Sequence, residues 1–157
     1  MSTDIVLMSV TSQDQLFDEV ASHLHKLHYV TEDYKEALKN REKEFPTGLK
    51  IDFKDGSNIH YAAIPHTETK YCLTNKVVYV RNENPLVFKH MIDPSEDCLV
   101  RHFFFIINSK NDGQTKILSH LISFFIEKGN MEKLEQCGND SKVIKNYLLK
   151  EGVLTND

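Results

Sequence analysis

Eight histidines are the side chains in this chain best suited to chemistry near neutral pH. Three of them, His23, His25 and His28, fall in SHLHKLH on a stretch with helical periodicity. His25 and His28 can share a face, whereas His23 and His25 cannot. No HExxH and no carboxylate pair at ligand spacing accompanies them, so a solvated helix surface is the expectation and a metal site the competing one. His120, in ILSHLISFF, reads as the rim of an apolar helix face. His90 and His102 flank strands and show no partner in the sequence. His60 and His66 would stand roughly 20 Å apart in a straight strand and are not a local pair.

His66 has a more defined setting, at the end of the run YAAIPHTE. Pro65 fixes its own φ and removes an N–H from any sheet ladder. Ile64 before it is held extended. The imidazole is therefore expected to project from a fixed point at a strand end, a usual place for ligand chemistry in α/β sheets. Thr67 and Glu68 add a hydroxyl and a carboxylate beside it. Upstream, NREKEFPTGL places Arg41 at the end of a helical stretch, before a turn containing Pro46 and Gly48. The interval to His66 is long enough for a hairpin to bring the two together. A guanidinium offers a planar fork of donors suited to phosphate. Arg41 reads equally as a surface cation complementing a helix C-terminus.

The elements that must hold these residues are expected in three groups. The first element is a helix over about 12–27, with Leu16, Val20, Leu24 and Leu27 on one stripe and Ser12 and Gln15 as a capping box. A second helix runs over about 32–43, with Thr31 as its cap, and stops at Pro46 and Gly48. Short extended segments follow at 48–53, 59–64, 76–81, 86–90 and 101–107. Of these, 86–90 is read as a short edge strand beside Pro85. The nearly unbroken apolar run RHFFFII suits a strand covered on both faces. Residues 110–113 are expected to turn into a helix over 114–128, with Gly129 just past its end. Two more helices are expected at 131–136 and 141–150. Helices, strands, then helices give an α/β class, bordering on α+β. The architecture is one mixed sheet of about five strands flanked by helices, in a single domain spanning 1–157.

Composition narrows the function classes. With 19 basic and 23 acidic residues the net charge is −4, which gives no basic face for nucleic acid and no polybasic membrane patch. No apolar run approaches the length of a membrane span. The N-terminal MSTDIVLMSV lacks the basic start of a secretory signal. Cys72, Cys98 and Cys137 form no CxxC pair, which fits a reduced compartment, the cytoplasm.

REKEFPTGL (Arg41 to Leu49) and NIHYAAIPHTE (Asn58 to Glu68) together resemble the enzyme IIA components of the bacterial phosphoenolpyruvate:sugar phosphotransferase system, of the fructose–mannitol type. The likeness is greatest to the galactitol-specific branch and extends over nearly the whole chain. It implies a phosphoryl carrier: His66 takes phosphate from the histidine-containing phosphocarrier protein and gives it to a cysteine of a cognate enzyme IIB, and through it the membrane IIC component is served. It implies Arg41 as the arginine of the family pattern, and no cofactor or metal beyond the covalent phosphate. Thr47 and Thr67 are then candidate hydrogen-bond donors, and Glu68 a candidate to orient the ring. Mannitol and fructose relatives begin the long helix with a second histidine. Here QTKIL puts Gln114 in that place, a departure shared by galactitol-type relatives. Gln114 reads equally as an ordinary first-turn residue. The competing functional reading is a regulatory module of the same fold that docks onto another protein.

Overall fold

The computed structural model describes residues 4–110 and 113–155, the side chains of 113–115 excepted. Five strands, β1 (Ile5–Met8), β2 (Gly48–Ile51), β3 (His60–Ala63), β4 (Lys76–Lys89) and β5 (Asp97–Ile107), form one sheet in the order β1-β4-β5-β3-β2. β1 runs parallel to β4 and β3 parallel to β5, while the β4–β5 and β2–β3 pairs are antiparallel. The helices are α1 (Gln13–Lys26), α2 (Tyr34–Glu44), α3 (Gly113–Ile126), α4 (Asn130–Gln136) and α5 (Ser141–Lys150). The expected α/β class and mixed sheet are observed. No helix among the described residues is long and apolar enough to cross a membrane.

The run RHFFFII explains the layering. Side chains alternate across a strand. Phe103, Phe105 and Ile107 enter one core with Leu16, Phe17 and Val20 of α1 and Leu38 of α2. Phe104 and Ile106 enter the other, with Leu121, Phe125, Leu134, Ile144 and Leu148 from α3, α4 and α5. The five consecutive residues Phe103–Ile107 are all buried. Full burial of each such side chain is worth about 1.5–3 kcal/mol, so this strand anchors both layers. Phe17 of α1 meets Phe88 and Phe105 edge to face, at 5.8 and 6.1 Å between centroids.

Local signals hold at several ends. Ser12 accepts from the Gln15 N–H at 3.1 Å, and Gln15 Oε1 reaches back to the Thr11 N–H at 3.2 Å. Asp140 caps α5. The α2 cap differs from expectation: Asp33 occupies the position, without a side-chain bond, and the Thr31 carbonyl accepts from the Tyr34 N–H. Gly129 lies in the turn between α3 and α4 at φ 94°, where its carbonyl starts α4.

Two strand expectations are corrected. Among the described residues the first element is β1, a four-residue edge strand before α1. The segment 86–90 is no separate edge strand. It continues β4, which lies between β1 and β5. The register of β4 on β5 shifts between Arg81 and Leu86, and Pro85 falls inside that irregularity, where its missing N–H breaks no ladder bond. Asn82, buried there, donates to the Val10 carbonyl and accepts the Val10 N–H, fixing the entry to α1.

His102, without a visible partner in the sequence, belongs to a buried polar chain under α4. Arg81 donates through Nε to the Tyr79 hydroxyl at 2.9 Å and through its terminal nitrogens to the carbonyls of Leu134 and Gly138. The Tyr79 hydroxyl meets His102 Nδ1 at 2.6 Å, and His102 Nε2 lies 2.9 Å from Glu135. Arg81 thereby adds a second donor to the Leu134 carbonyl, which already accepts the Cys137 N–H, and ties down the Gly138 carbonyl just past α4.

Gly48 marks a close approach. A Cβ there would lie 2.7 Å from the Lys89 carbonyl oxygen and 3.3 Å from Cys98 Cβ. Gly48→Ala is expected to lower stability by about 1–3 kcal/mol through backbone displacement, read as a reduced urea midpoint with unchanged slope. A midpoint equal to wild type would show that β2 moves aside freely.

Candidate active site

β3 delivers His66 to its place. The Ile64 N–H donates to the Thr47 carbonyl at 3.2 Å, and the Ile106 N–H donates to the Pro65 carbonyl at 3.1 Å. His66 then forms an isolated parallel bridge with Ile106, at the C-terminal ends of β3 and β5. β3 itself ends at Ala63, these bonds keep Ile64 and Pro65 tied to the neighbouring chain, and His66 stands at a fixed point at the strand's end, as expected.

The half-buried imidazole is oriented by its own chain. Nδ1 lies 2.8 Å from the Ile64 carbonyl oxygen. A carbonyl only accepts, so Nδ1 carries the proton and Nε2 is left with a bare lone pair. The second nitrogen is held by backbone rather than by Glu68. Burial lowers the His66 pKa, the Ile64 bond opposes this, the Arg41 charge lowers it further and Glu68 raises it. The net direction is downward, so the ring is neutral and nucleophilic at pH 7.

Arg41 closes the last turn of α2. Nη1 donates to Glu68 Oε1 at 3.3 Å, and the guanidinium lies 5.1 Å from the centre of the Phe45 ring. Its Nε is buried without a hydrogen-bond partner. Such an orphaned donor is costly unless something accepts from it, and a phosphoryl oxygen suits it. Arg41, His66 and Glu68 are therefore brought together. The threonines are committed elsewhere. The Thr47 hydroxyl donates to Glu42 at 2.7 Å, and that of Thr67 donates to the Glu68 carbonyl at 2.9 Å, with Cys72 Sγ 3.6 Å away. The Gln114 side chain lies outside the described residues. Among the described residues, no three potential ligands gather to hold a metal ion.

The family model "Phosphoenolpyruvate-dependent sugar phosphotransferase system, EIIA 2" matches residues 2–151. The chain belongs to this family. The fold of this IIA protein is shared with solved structures of low identity. The mannitol IIA from Escherichia coli, solved in complex with phosphorylated mannitol IIB, matches with a TM-score of 0.71 at 17% identity, over 96% of each chain. The cryptic mannitol enzyme IIA CmtB from the same organism gives 0.72 at 15%, over 96% of this chain and 95% of that one. The nitrogen regulatory protein IIA-Ntr from Neisseria meningitidis gives 0.58 at 22%, over 98% and 94%. No curated protein matches the chain significantly.

One buried residue beside this candidate site was not singled out from sequence. Glu42, inside REKE, reads as one more helix-surface charge, yet it is 5% exposed and accepts both the N–H and the hydroxyl of Thr47. The only signal was its place beside Arg41.

The shift of His66 gives a direct test. In an NMR pH titration its midpoint is expected below the ordinary imidazole value of about 6.5. The unfolded chain then binds the proton first. This group's share of stability is present above about pH 6.5 and is lost as pH falls through the lower native value. A midpoint at or above the ordinary value would mean that the ring is more solvated than its burial indicates.

Proposed function

We propose that the protein is a phosphoryl carrier whose acceptor atom is Nε2 of His66. The observation carrying this reading is the Nδ1–Ile64 bond, which leaves Nε2 bare beside an arginine with an unpartnered donor. Nε2 attacks the phosphorus of the phosphohistidine on the histidine-containing phosphocarrier protein, in line with the N–P bond that breaks. The donor imidazole leaves as the neutral base. The His66 ring gains the positive charge, which the Ile64 carbonyl and Glu68 stabilise. No proton moves at Nε2, so the step needs positioning and fixed charge more than acid–base catalysis. Arg41 faces the negative charge spread over the equatorial oxygens. The second step is the same displacement with the cysteine thiolate of a cognate enzyme IIB as nucleophile. The relative solved with phosphorylated IIB supports that partner. Neither step uses a cofactor or metal ion.

REKEFPTGL and NIHYAAIPHTE favour the galactitol branch, or a related polyol or sugar system, with the membrane IIC component binding the sugar. Such a relay places the protein in the cytoplasm. The similarity to a nitrogen regulatory IIA supports a second reading, phosphorylation-dependent docking onto a regulated protein.

The test is incubation with phosphoenolpyruvate and the general phosphotransferase proteins, followed by nitrogen-15 NMR of the imidazoles. Phosphate on Nε2 of His66, discharged on adding a cognate IIB, is the expected result. Phosphate on another residue, or none, would overturn the assignment. Acceptance without discharge to any IIB would favour the regulatory reading.

A further inference from the structure

The acceptor nitrogen is selected by a bond that itself hangs on a second one. The Ile64 carbonyl that holds His66 belongs to the residue whose N–H donates to Thr47. Thr47 is gripped at both its N–H, at 2.8 Å, and its hydroxyl, at 2.7 Å, by the two carboxylate oxygens of Glu42. Glu42 directly follows Arg41 in the last turn of α2. One buried carboxylate thus sits at the root of both arms of the site.

We propose that Glu42 is a positioning residue for phosphoryl transfer, fixing the His66 tautomer through Thr47 and Ile64 and fixing the approach of Arg41 through the end of α2. The path is continuous: Glu42 carboxylate to Thr47 N–H and hydroxyl, Thr47 carbonyl to Ile64 N–H, Ile64 carbonyl to His66 Nδ1–H. Bonds linked this way in a dry interior support one another. The choice of a carboxyl is informative. Burial pushes Glu42 up to about 7, and the Thr47 bonds pull the other way. An apolar residue would fill the helix end without that desolvation cost, but could not accept two donors from Thr47. Glutamine in its place would keep the shape and could accept the Thr47 N–H, but it would lose the carboxylate charge and reverse the hydroxyl bond, its N–H₂ donating to Thr47 Oγ1.

This inference rests on the carrier reading, and the experiment separates the two. Single-turnover transfer from the phosphorylated phosphocarrier protein is measured for wild type and Glu42→Gln across donor concentrations. The imidazole tautomer of His66 is read in parallel by nitrogen-15 NMR on the unphosphorylated proteins. For Glu42→Gln, the maximal rate is expected to fall about tenfold while the half-saturating donor concentration stays within about twofold. The share of Nδ1–H tautomer should drop. Thr47→Val, which keeps the backbone bond and loses the hydroxyl, should show the same changes to a smaller degree. It decides the matter if Glu42→Gln does not fold. A folded variant with wild-type rate and tautomer, even at a lower melting temperature, would reduce Glu42 to a structural role and overturn the proposal. A wild type that accepts no phosphate on His66 would instead defeat the carrier reading, leaving the tautomer comparison to judge Glu42.

Discussion

His66→Ala takes up no phosphate from the phosphorylated phosphocarrier protein, while keeping its fold. That result is expected because the step is covalent: without the bare Nε2 there is no atom for phosphorus to join, so the loss is complete rather than graded. Neighbouring histidines do not substitute. His60 sits at the far end of β3, and His102 is buried, with both ring nitrogens engaged by Tyr79 and Glu135. The structural loss is small, because the side chain gives up one bond, to the Ile64 carbonyl, worth about 1 kcal/mol. Circular dichroism and the melting curve should therefore be close to wild type. Undiminished acid-labile phosphate on His66→Ala would show that the acceptor lies elsewhere.

Arg41→Ala is expected to slow transfer by about 100- to 1000-fold, the usual effect of removing one fixed donor from a developing oxyanion. Its Nε has no partner to lose, its Nη1 bond to Glu68 is a partly exposed pair worth about 0–1 kcal/mol, and its contact with the Phe45 ring is worth about 0.5–1 kcal/mol, so the loss of stability is modest beside the loss of rate. The effect should fall on the transfer rate rather than on affinity for the partner. A second sign of the same change is available. Arg41 lowers the His66 pKa and also offsets Glu68, which raises it, so the alanine variant should titrate at higher pH than wild type. Arg41→Lys should restore the titration better than the rate, because an ammonium supplies the charge but not the planar fork. Equal transfer rates in Arg41→Ala and wild type would remove Arg41 from the mechanism.

The sequence was most legible where one local rule acted alone. The stripe of Leu16, Val20 and Leu24 gives α1, and the Ser12–Gln15 pair gives its start. The apolar run at Phe103–Ile107 gives the doubly covered strand. Legibility failed where partners are distant. IVLM at 5–8 has no alternation to mark it, and becomes a strand because β4 offers a parallel edge. Pro85 looked like a boundary, but β4 passes it through an irregular register that only β5 defines. Glu42 has the type and spacing of a solvated helix charge. It is buried because the turn at 45–47 folds back over the end of α2 and presents Thr47 to it.

The same division runs through the site. By itself the sequence determined how the proposed nucleophile, His66, is presented, because Pro65 restricts its own torsion and that of Ile64 whatever surrounds them. It also supplied the guanidinium, in REKEFPTGL. Tertiary structure decided what these groups can do. The carbonyl beside the ring chooses Nε2 over Nδ1, burial and the Arg41 charge keep the ring neutral, and the Thr47–Ile64 bond, which ties the turn after α2 to the end of β3, brings Arg41 to Glu68. Torsions are set within two residues, whereas tautomer, charge state and proximity depend on neighbours that only folding supplies.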